Sequence, residues 1–371
     1  MSVCSTVAVS MGVDDVVARR LRTQRLTSTP LSDATDVVRL LTCVQAQDAP
    51  LARFSVGVRM VAGHDGAVRR AIDDGHVVRT HILRPTWHFV AAEDLRWILA
   101  LTSAKVESGM AARHRQLGLD SSTVDGVLAS LAEALAGRRY LTRRELAAEF
   151  EQGGATWTGE QLGHLLMLAE LRALVCSGPL RGEAHTYGLV DELVAPTALR
   201  DRPDAIRELV SRFFTGHGPA SVTDLTRWTR LTQGEVKAAL EELVDHLDTV
   251  TVDGVHLWFD AAADPGPEGG RRALLLPVFD EAYLSYPSLN VLRADGHPGM
   301  TSVHRFAEAG GGVVILDRRD VGWWKRRNRG RRMAVSVSLA STLDSRGRDL
   351  VVAEAERLAA FADRTADVVW L

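Results

Sequence analysis

Val222–Phe259 reads VTDLTRW, a short turn, TQGEVKAALEELVDHL and then DTVTVDGVHLWF. The same order occurs upstream in Thr142–Val190, as TRRELAAEF, a turn, TGEQLGHLLMLAELRALV and a strand–turn–strand ending HTYGLV. Each copy predicts a short helix, a second helix and a β-hairpin. Thr158 with Gln161, and Thr232 with Glu235, fit capping boxes, in which two side chains satisfy otherwise orphaned N–H groups at a helix start. Val236, Leu240, Leu243, Val244 and Leu247 then fall on one face at helical spacing. Alternation around Asp253-Gly254 predicts a tight hairpin. Helix–turn–helix followed by a hairpin is a winged helix, a module that binds DNA in some proteins and docks protein or acts as a spacer in others.

Working outward, the N-terminal region repeats the theme in a more degenerate form. Asp33–Val44 predicts a helix with Val37, Leu40, Leu41 and Val44 as its apolar face, and Gly66–Asp74 a second. His76–Leu83 and Thr86–Val90 read as strands around Arg84-Pro85. After Phe259, DAAADPGPEGG has the composition of a linker. Short strands follow at Ala273–Val278, Gly312–Leu316 and Met333–Leu339, with a closing helix near Val351–Ala362. The expected class is α+β, mainly helical: three tandem winged-helix units (14–100, 101–195, 196–262) and a small C-terminal β-barrel (263–371), together forming a DNA-binding cleft. Residues 1–13 read as a disordered leader, with Met11 an alternative start.

Composition narrows the function classes. No run approaches the roughly 18 apolar residues of a membrane helix, and the start lacks the basic and apolar regions of a signal peptide. Cys4, Cys43 and Cys176 are odd in number and far apart, which fits neither a disulfide framework nor a zinc pattern. The expected setting is cytoplasmic and reducing. The net charge of -3 conceals a concentrated segment: Asp317–Arg332 holds eight basic and two acidic residues, a local +6 against -9 elsewhere. Such a stripe suits a DNA-facing edge, and equally a solvated charged hairpin. Arg outnumbers Lys 41 to 3, so phosphate contacts would be made mainly by guanidinium forks.

No nucleophile elbow, P-loop, HExxH or CxxC is present. His76, His81 and His88 cluster without the carboxylate or thiolate partners of a metal site, so neither metal nor cofactor is expected. The informative segment is Val44-Gln45-Ala46-Gln47-Asp48-Ala49-Pro50. On a continuing helix the two glutamines would point about 200° apart. They converge only where the helix ends and the chain turns or extends, and Pro50 disfavours helical geometry at Ala49. Two converging amides can hold one water between an acceptor oxygen and a donor nitrogen. Two surface glutamines near a helix end are the alternative.

Gln45-Ala46-Gln47 resembles the glutamine–x–glutamine signature of the AlkZ/YcaQ-like winged-helix DNA glycosylases. ILRPTWHFV (82–90), GHGPASVTDLTRWTRL (216–231), ALLLPVFDEAYLSY (273–286) and VVILDRRDVGWWKRR (313–327) resemble that family's later blocks, in order. The resemblance implies hydrolysis of the N-glycosidic bond of N7-alkylated, cationic purines in duplex DNA, in some members including interstrand crosslinks of genotoxic natural products. It implies Gln45 and Gln47 as the catalytic pair, with Asp48 as possible support and Arg84 and His88 in the pocket wall. A basic hairpin over Val313–Arg327 makes Arg318 and Arg319 candidates for insertion into a groove, with Lys325, Arg326 and Arg327 as further DNA contacts. Pro85 and Trp87 replace the family's glycine and leucine, which puts the pocket wall in doubt, and the Asp-Arg that often follows the tyrosine block is absent.

Amide side chains are poor bases, so the reaction must not need a strong one. A cationic purine leaves without protonation; what remains is to hold water at C1′ and stabilise a positive sugar. Phe279-Asp280-Glu281 is expected to pair structurally with arginines, and Tyr283, Trp323 and Trp324 to pack in the core. The rival functions are a dimeric winged-helix transcriptional regulator and a protein-docking scaffold. The expected partner is double-stranded DNA and the expected form a monomer.

Overall fold

The computed structural model describes residues 11–263, 266, 270–287, 289 and 310–371. Cys4, most of the expected leader and part of the expected linker lie outside the described residues. The first sheet has the order β1-β3-β2, with β1 at Cys43–Gln45, β2 at Val77–His81 and β3 at Trp87–Ala91, all antiparallel. The helix expected over Asp33–Val44 stops at Leu41, because Thr42 adopts a positive φ of 63° and turns the chain into β1. A new helix, Ala49–Gly57, begins under an Asp48 cap. Pro50 does not push Ala49 out of the helix; it sits in the first turn, where its missing N–H costs nothing.

The segment 101–195 supplies β4 (Leu141–Thr142), β5 (Val175–Ser177) and β6 (Thr186–Leu189), ordered β4-β6-β5 behind two capped helices, Arg143–Gln152 and Gly159–Leu171. The later copy has helices Val222–Thr229 and Gln233–Glu242, then β7 (Asp248–Val252) and β8 (Val255–Phe259). Both expected capping boxes form. Asp253 and Gly254 have φ of 49° and 75°, the paired left-handed geometry of a two-residue hairpin turn. Val244 departs from the expected apolar face: the helix ends at Glu242, and Val244 is 61% exposed in the turn beyond it.

The C-terminal strands do not close into a barrel among the described residues. They form an open sheet, β13-β12-β11-β10-β9, in which β9 is Ala273–Pro277, β10 Gly311–Leu316, β11 Arg319–Arg329, β12 Arg332–Leu339 and β13 Thr365–Trp370. Helix Ser345–Phe361 buries Val351, Ala355 and Leu358 in one continuous core with this sheet and with Leu41, Phe54 and Val56 of the N-terminal segment. The first and last parts of the chain therefore share one interior. A second core joins the helices Leu95–Gln116 and Arg202–His217 to Trp228 and Leu240. Tyr283 and Trp324 are buried as expected, whereas Trp323 is only half-buried, with Lys325 5.0 Å from its ring centroid. No helix among the described residues is long and apolar enough to cross a membrane.

Candidate active site

Sheet register brings Gln45 opposite His88, with Thr80 on the far side of the same strand. Gln45 is 8% exposed. Arg84 Nη2 donates to its Oε1 at 2.9 Å and also reaches His88 Nε2 at 3.2 Å. A guanidinium only donates, so His88 Nε2 is the acceptor, and His88 Nδ1 donates to the Thr86 carbonyl at 2.8 Å. Burial, reinforced by the Arg84 charge, lowers His88 to about 3, so the ring is neutral and keeps this acceptor at neutral pH.

Behind β1 lies Glu281, fully buried. Its Oε1 accepts the Gln45 backbone N–H at 2.9 Å, and its Oε2 accepts Trp228 Nε1 at 3.0 Å and Ser285 Oγ at 2.6 Å. His217 Nε2 stands 3.8 Å from the same oxygen, an ion-pair distance too long for a direct hydrogen bond. Burial would raise this carboxyl, but His217, Arg84 and Ser285 outweigh it and hold it at about 2. The acidic block thus has the expected structural role, in two ways: Asp280 pairs with an arginine, Arg59, while Glu281 holds the glutamine strand.

Two residues on, Gln47 is exposed and Asp48 half-buried. Both line a cavity of about 560 Å³ with Arg53, Arg79, Phe89, His185 and Phe279. Gln45 is not among its lining residues, and its Oε1 is taken by Arg84. Gln47 Oε1 accepts only a long contact, 3.4 Å from the Trp87 N–H, and Asp48 Oδ1 caps the Leu51 N–H at 3.0 Å. Arg79 fixes this segment: its Nε donates to the Ala46 carbonyl at 2.9 Å while its guanidinium lies 4.3 Å above the Trp87 ring. Trp87, the departure from the family's leucine, is therefore a support for Arg79, and its Nε1 donates to buried Glu170 at 3.3 Å. The opposite wall comes from the β5–β6 turn, where Glu183 pairs with Arg53 at 3.0 Å and with Arg69.

Sequence reasoning missed Arg79, Arg53 and the direct hold of Glu281 on Gln45. The available signal was chemical: Arg79 places a full charge in the strand segment VVRTHIL between Val78 and Ile82, and a charge at such a position needs partners.

The basic stripe divides in two. Arg326 is half-buried, and burial lowers its pKa against the pull of Asp48. Beyond it, Arg327, Arg329, Arg331 and Arg332 are all exposed around a two-residue turn at Gly330-Arg331, with no ion pair among the described residues. Arg318 and Arg319 lie at the opposite end, Arg318 in the turn between β10 and β11 and Arg319 at 4.0 Å from Asp14. Seven residues of strand, roughly 23 Å, separate Arg319 from Arg326. The structure does not bring Arg318 and Arg319 to the glutamines. Nor is a basic face presented by helix Gln233–Glu242, whose charged side chains are Glu235, Glu241, Glu242 and one lysine, Lys237. Among the described residues no group of three or more His, Cys, Asp or Glu could hold a metal ion.

Residues 38–361 match the family model described as DNA glycosylase AlkZ-like. A curated relative, an interstrand DNA cross-link repair glycosylase of Streptomyces sahachiroi, is 28% identical over 327 residues, 84% of this chain and 86% of the relative. The solved structure of Streptomyces sahachiroi DNA glycosylase AlkZ superposes with a TM-score of 0.75 at 22% identity, covering 97% of this chain and 100% of that one.

Proposed function

Since the chain belongs to the AlkZ-like DNA glycosylase family, we propose that it hydrolyses the N-glycosidic bond of N7-alkylated purines in duplex DNA, as a monofunctional, cofactor-free enzyme. The observation that carries this reading is Gln47 beside Asp48 on the wall of an open cavity that Arg53 and Arg79 also line. In the proposed step the C1′–N9 bond breaks and its electron pair goes to the purine, cancelling the positive charge. A water held by Gln47 Oε1 bonds C1′, and its proton passes to the Asp48 carboxylate. The amide dipole and carboxylate are placed where positive charge grows on the sugar. Gln45 acts from behind, through β1 and Arg84.

The cavity's size and openness suit adducts larger than a methyl group, and the similarity to an interstrand DNA cross-link repair glycosylase supports including interstrand crosslinks. A cross-linked base cannot swing freely out of the stack, which favours an open cleft over a closed base pocket. The helix–helix–hairpin order supports winged-helix units at 14–100, 101–195 and 196–262. The acidic second helix at Gln233–Glu242 argues against a groove-reading regulator, because that helix would face phosphates with the wrong sign. A monomer suffices, since every residue invoked comes from one chain.

The test is excision from duplex DNA carrying N7-methylguanine or an N7–N7 crosslink, with chelator present. Wild type is expected to leave abasic sites and the Gln45→Ala/Gln47→Ala double variant is not. Borohydride is expected to trap no protein–DNA adduct. Wild type that binds both duplexes yet cleaves neither would overturn the reading.

A further inference from the structure

We infer that Arg53 and Arg69 form a binding site for one DNA backbone phosphate at the mouth of the cavity, and that the Glu183 carboxylate occupies this site in the free protein. The inference rests on the duplex-binding reading above and adds where the strand is gripped.

Helix Ala49–Gly57 carries Arg53 and helix Asp65–Asp73 carries Arg69. Asp65 lies between the two guanidinium groups: its Oδ1 accepts Arg53 Nε at 2.6 Å and its Oδ2 accepts Arg69 Nε. Burial would raise the Asp65 carboxyl, but Arg53 and Arg69 outweigh it and hold it below the ordinary carboxylate range. One sheltered, ionised carboxylate thus fixes the Nε edges of both forks. Their Nη2 atoms converge on a second carboxylate. Glu183 Oε2 accepts Arg53 Nη2 at 3.0 Å, and Glu183 Oε1 accepts Arg69 Nη2. Two guanidinium groups that each take one oxygen of a shared anion also suit the two non-bridging oxygens of a phosphodiester.

The two carboxylates are held differently. Asp65 opens the helix that carries Arg69, and its side chain is only 18% exposed. Glu183 comes from the two-residue turn Gly182-Glu183 between β5 and β6, and its side chain is 66% exposed. Other bonds secure that turn: Arg69 Nη1 donates to the Gly182 carbonyl at 2.8 Å, and Asp73 Oδ1 accepts the Leu180 N–H at 2.7 Å. Glu183 can therefore rotate into solvent while the backbone stays in place, and an ion pair with an exposed partner resists this weakly. With Glu183 in place, two arginines and two carboxylates balance. With it rotated away, one positive charge is left over for one phosphate. Arg53 and Glu183 line the same cavity as Gln47 and Asp48, so the gripped phosphate adjoins the nucleotide under attack.

The experiment titrates lesion-bearing duplexes with wild type, Glu183→Ala, Arg69→Ala and Glu183→Ala/Arg69→Ala. The duplexes are either unmodified or carry one neutral methylphosphonate flanking the lesion. Glu183→Ala, an exposed change, is expected to bind the unmodified duplex about fivefold more tightly, since no carboxylate has to be displaced. Arg69→Ala should bind roughly tenfold more weakly, with its salt dependence reduced by about 0.9. The double variant should gain nothing over Arg69→Ala, because the effect of Glu183 passes through the site. One methylphosphonate position should weaken wild type and Glu183→Ala and leave Arg69→Ala indifferent. If Glu183 only braces the two segments, Glu183→Ala will bind no more tightly than wild type, and the site is overturned. An equal gain in the Arg69→Ala background would reduce the effect to surface charge and overturn it too. Either result leaves the glycosylase reading intact, whereas wild type that binds no duplex would overturn both.

Discussion

Arg59 and Asp280, separated by 221 positions in sequence, meet as a fully buried bidentate ion pair, with Nη1–Oδ2 and Nη2–Oδ1 both at 2.8 Å. The remaining donors of Arg59 go to the Ser55 and Gln24 carbonyls at 2.6 and 2.9 Å and to Gln24 Oε1 at 2.8 Å. Asp280 Oδ1 also caps the Ala282 N–H at 2.9 Å. The pair joins the chain just after helix Ala49–Gly57 to the residue before Glu281, and Glu281 in turn grips Gln45. Its placement ties the glutamine strand to the C-terminal block.

Removing one partner strands a buried charge, so Arg59→Met or Asp280→Asn should cost about 3–5 kcal/mol of stability. Urea unfolding of each single variant and of Arg59→Met/Asp280→Leu checks this. The double variant should recover much of the loss, because the pair's net worth over apolar packing is small. Singles within 1 kcal/mol of wild type would contradict the burial of this pair.

The two glutamines should separate kinetically. In single-turnover excision, Gln47→Ala is expected to slow the chemical step roughly 100-fold, as for loss of one oriented transition-state dipole, with duplex affinity unchanged. Gln45→Ala should weaken affinity for the lesion-bearing duplex as well, because Arg84, expected in the pocket wall, loses the acceptor that holds it. Identical effects of the two on rate and on affinity would refute the division of labour.

His88 makes a signed prediction for pH. Its pKa falls from 6.5 in the unfolded chain to about 3 when folded, so between these values the unfolded state binds the extra proton. Stability contributed by the neutral ring is complete above pH 6.5 and is lost on acidification, with a slope of about 1.4 kcal/mol per pH unit. Glu281, lowered from 4.5 to about 2, adds the same sign of slope below pH 4.5. Denaturant titrations between pH 7 and 4 should therefore be shallower for His88→Gln than for wild type; parallel curves would be the contrary outcome.

Salt should distinguish the two ends of β11. Arg329→Ala and Arg331→Ala, at the unpaired tip, are each expected to reduce the salt dependence of duplex binding by about 0.9. Arg319→Ala, beside Asp14, should change it less, and Lys237→Ala on the acidic helix should leave it unchanged. Equal effects at Arg319 and Arg331 would place both ends of the strand on DNA.

Local rules carried the sequence reading far. The capping boxes, the Asp253-Gly254 turn and the strands flanking Arg84-Pro85 depend on neighbours within a few residues, and they form as the spacing predicts. The limits appeared where long-range packing decides. Nothing local to Thr42 announces the turn that ends its helix, and Val244 looked apolar-faced only because the helix was extended past Glu242. The charged stripe did not reveal how β11 divides: Asp320, Gly322 and Trp324 are buried in alternation in its first half, while exposed Arg327 and Arg329 crowd towards the turn at its other end. At the site, Gln45, Gln47 and Asp48 were legible as a segment, but the hold of Arg84 and Glu281, 39 and 236 positions away, on the Gln45 Oε1 and backbone N–H was not. Those are tertiary facts.

The interior shared by the first and last segments has a consequence during synthesis. Chains generally fold from the N-terminus as they emerge, yet Phe54 and Val56 here are sealed by Val351, Leu358 and Phe361. The strand bearing Gln45 therefore waits, with its core open, until nearly the whole polypeptide has left the ribosome. A truncated product ending before Glu281 would have the glutamines but neither the carboxylate that holds the Gln45 strand nor the sheet that shares a core with helix Ala49–Gly57, so a prematurely terminated chain cannot assemble this site.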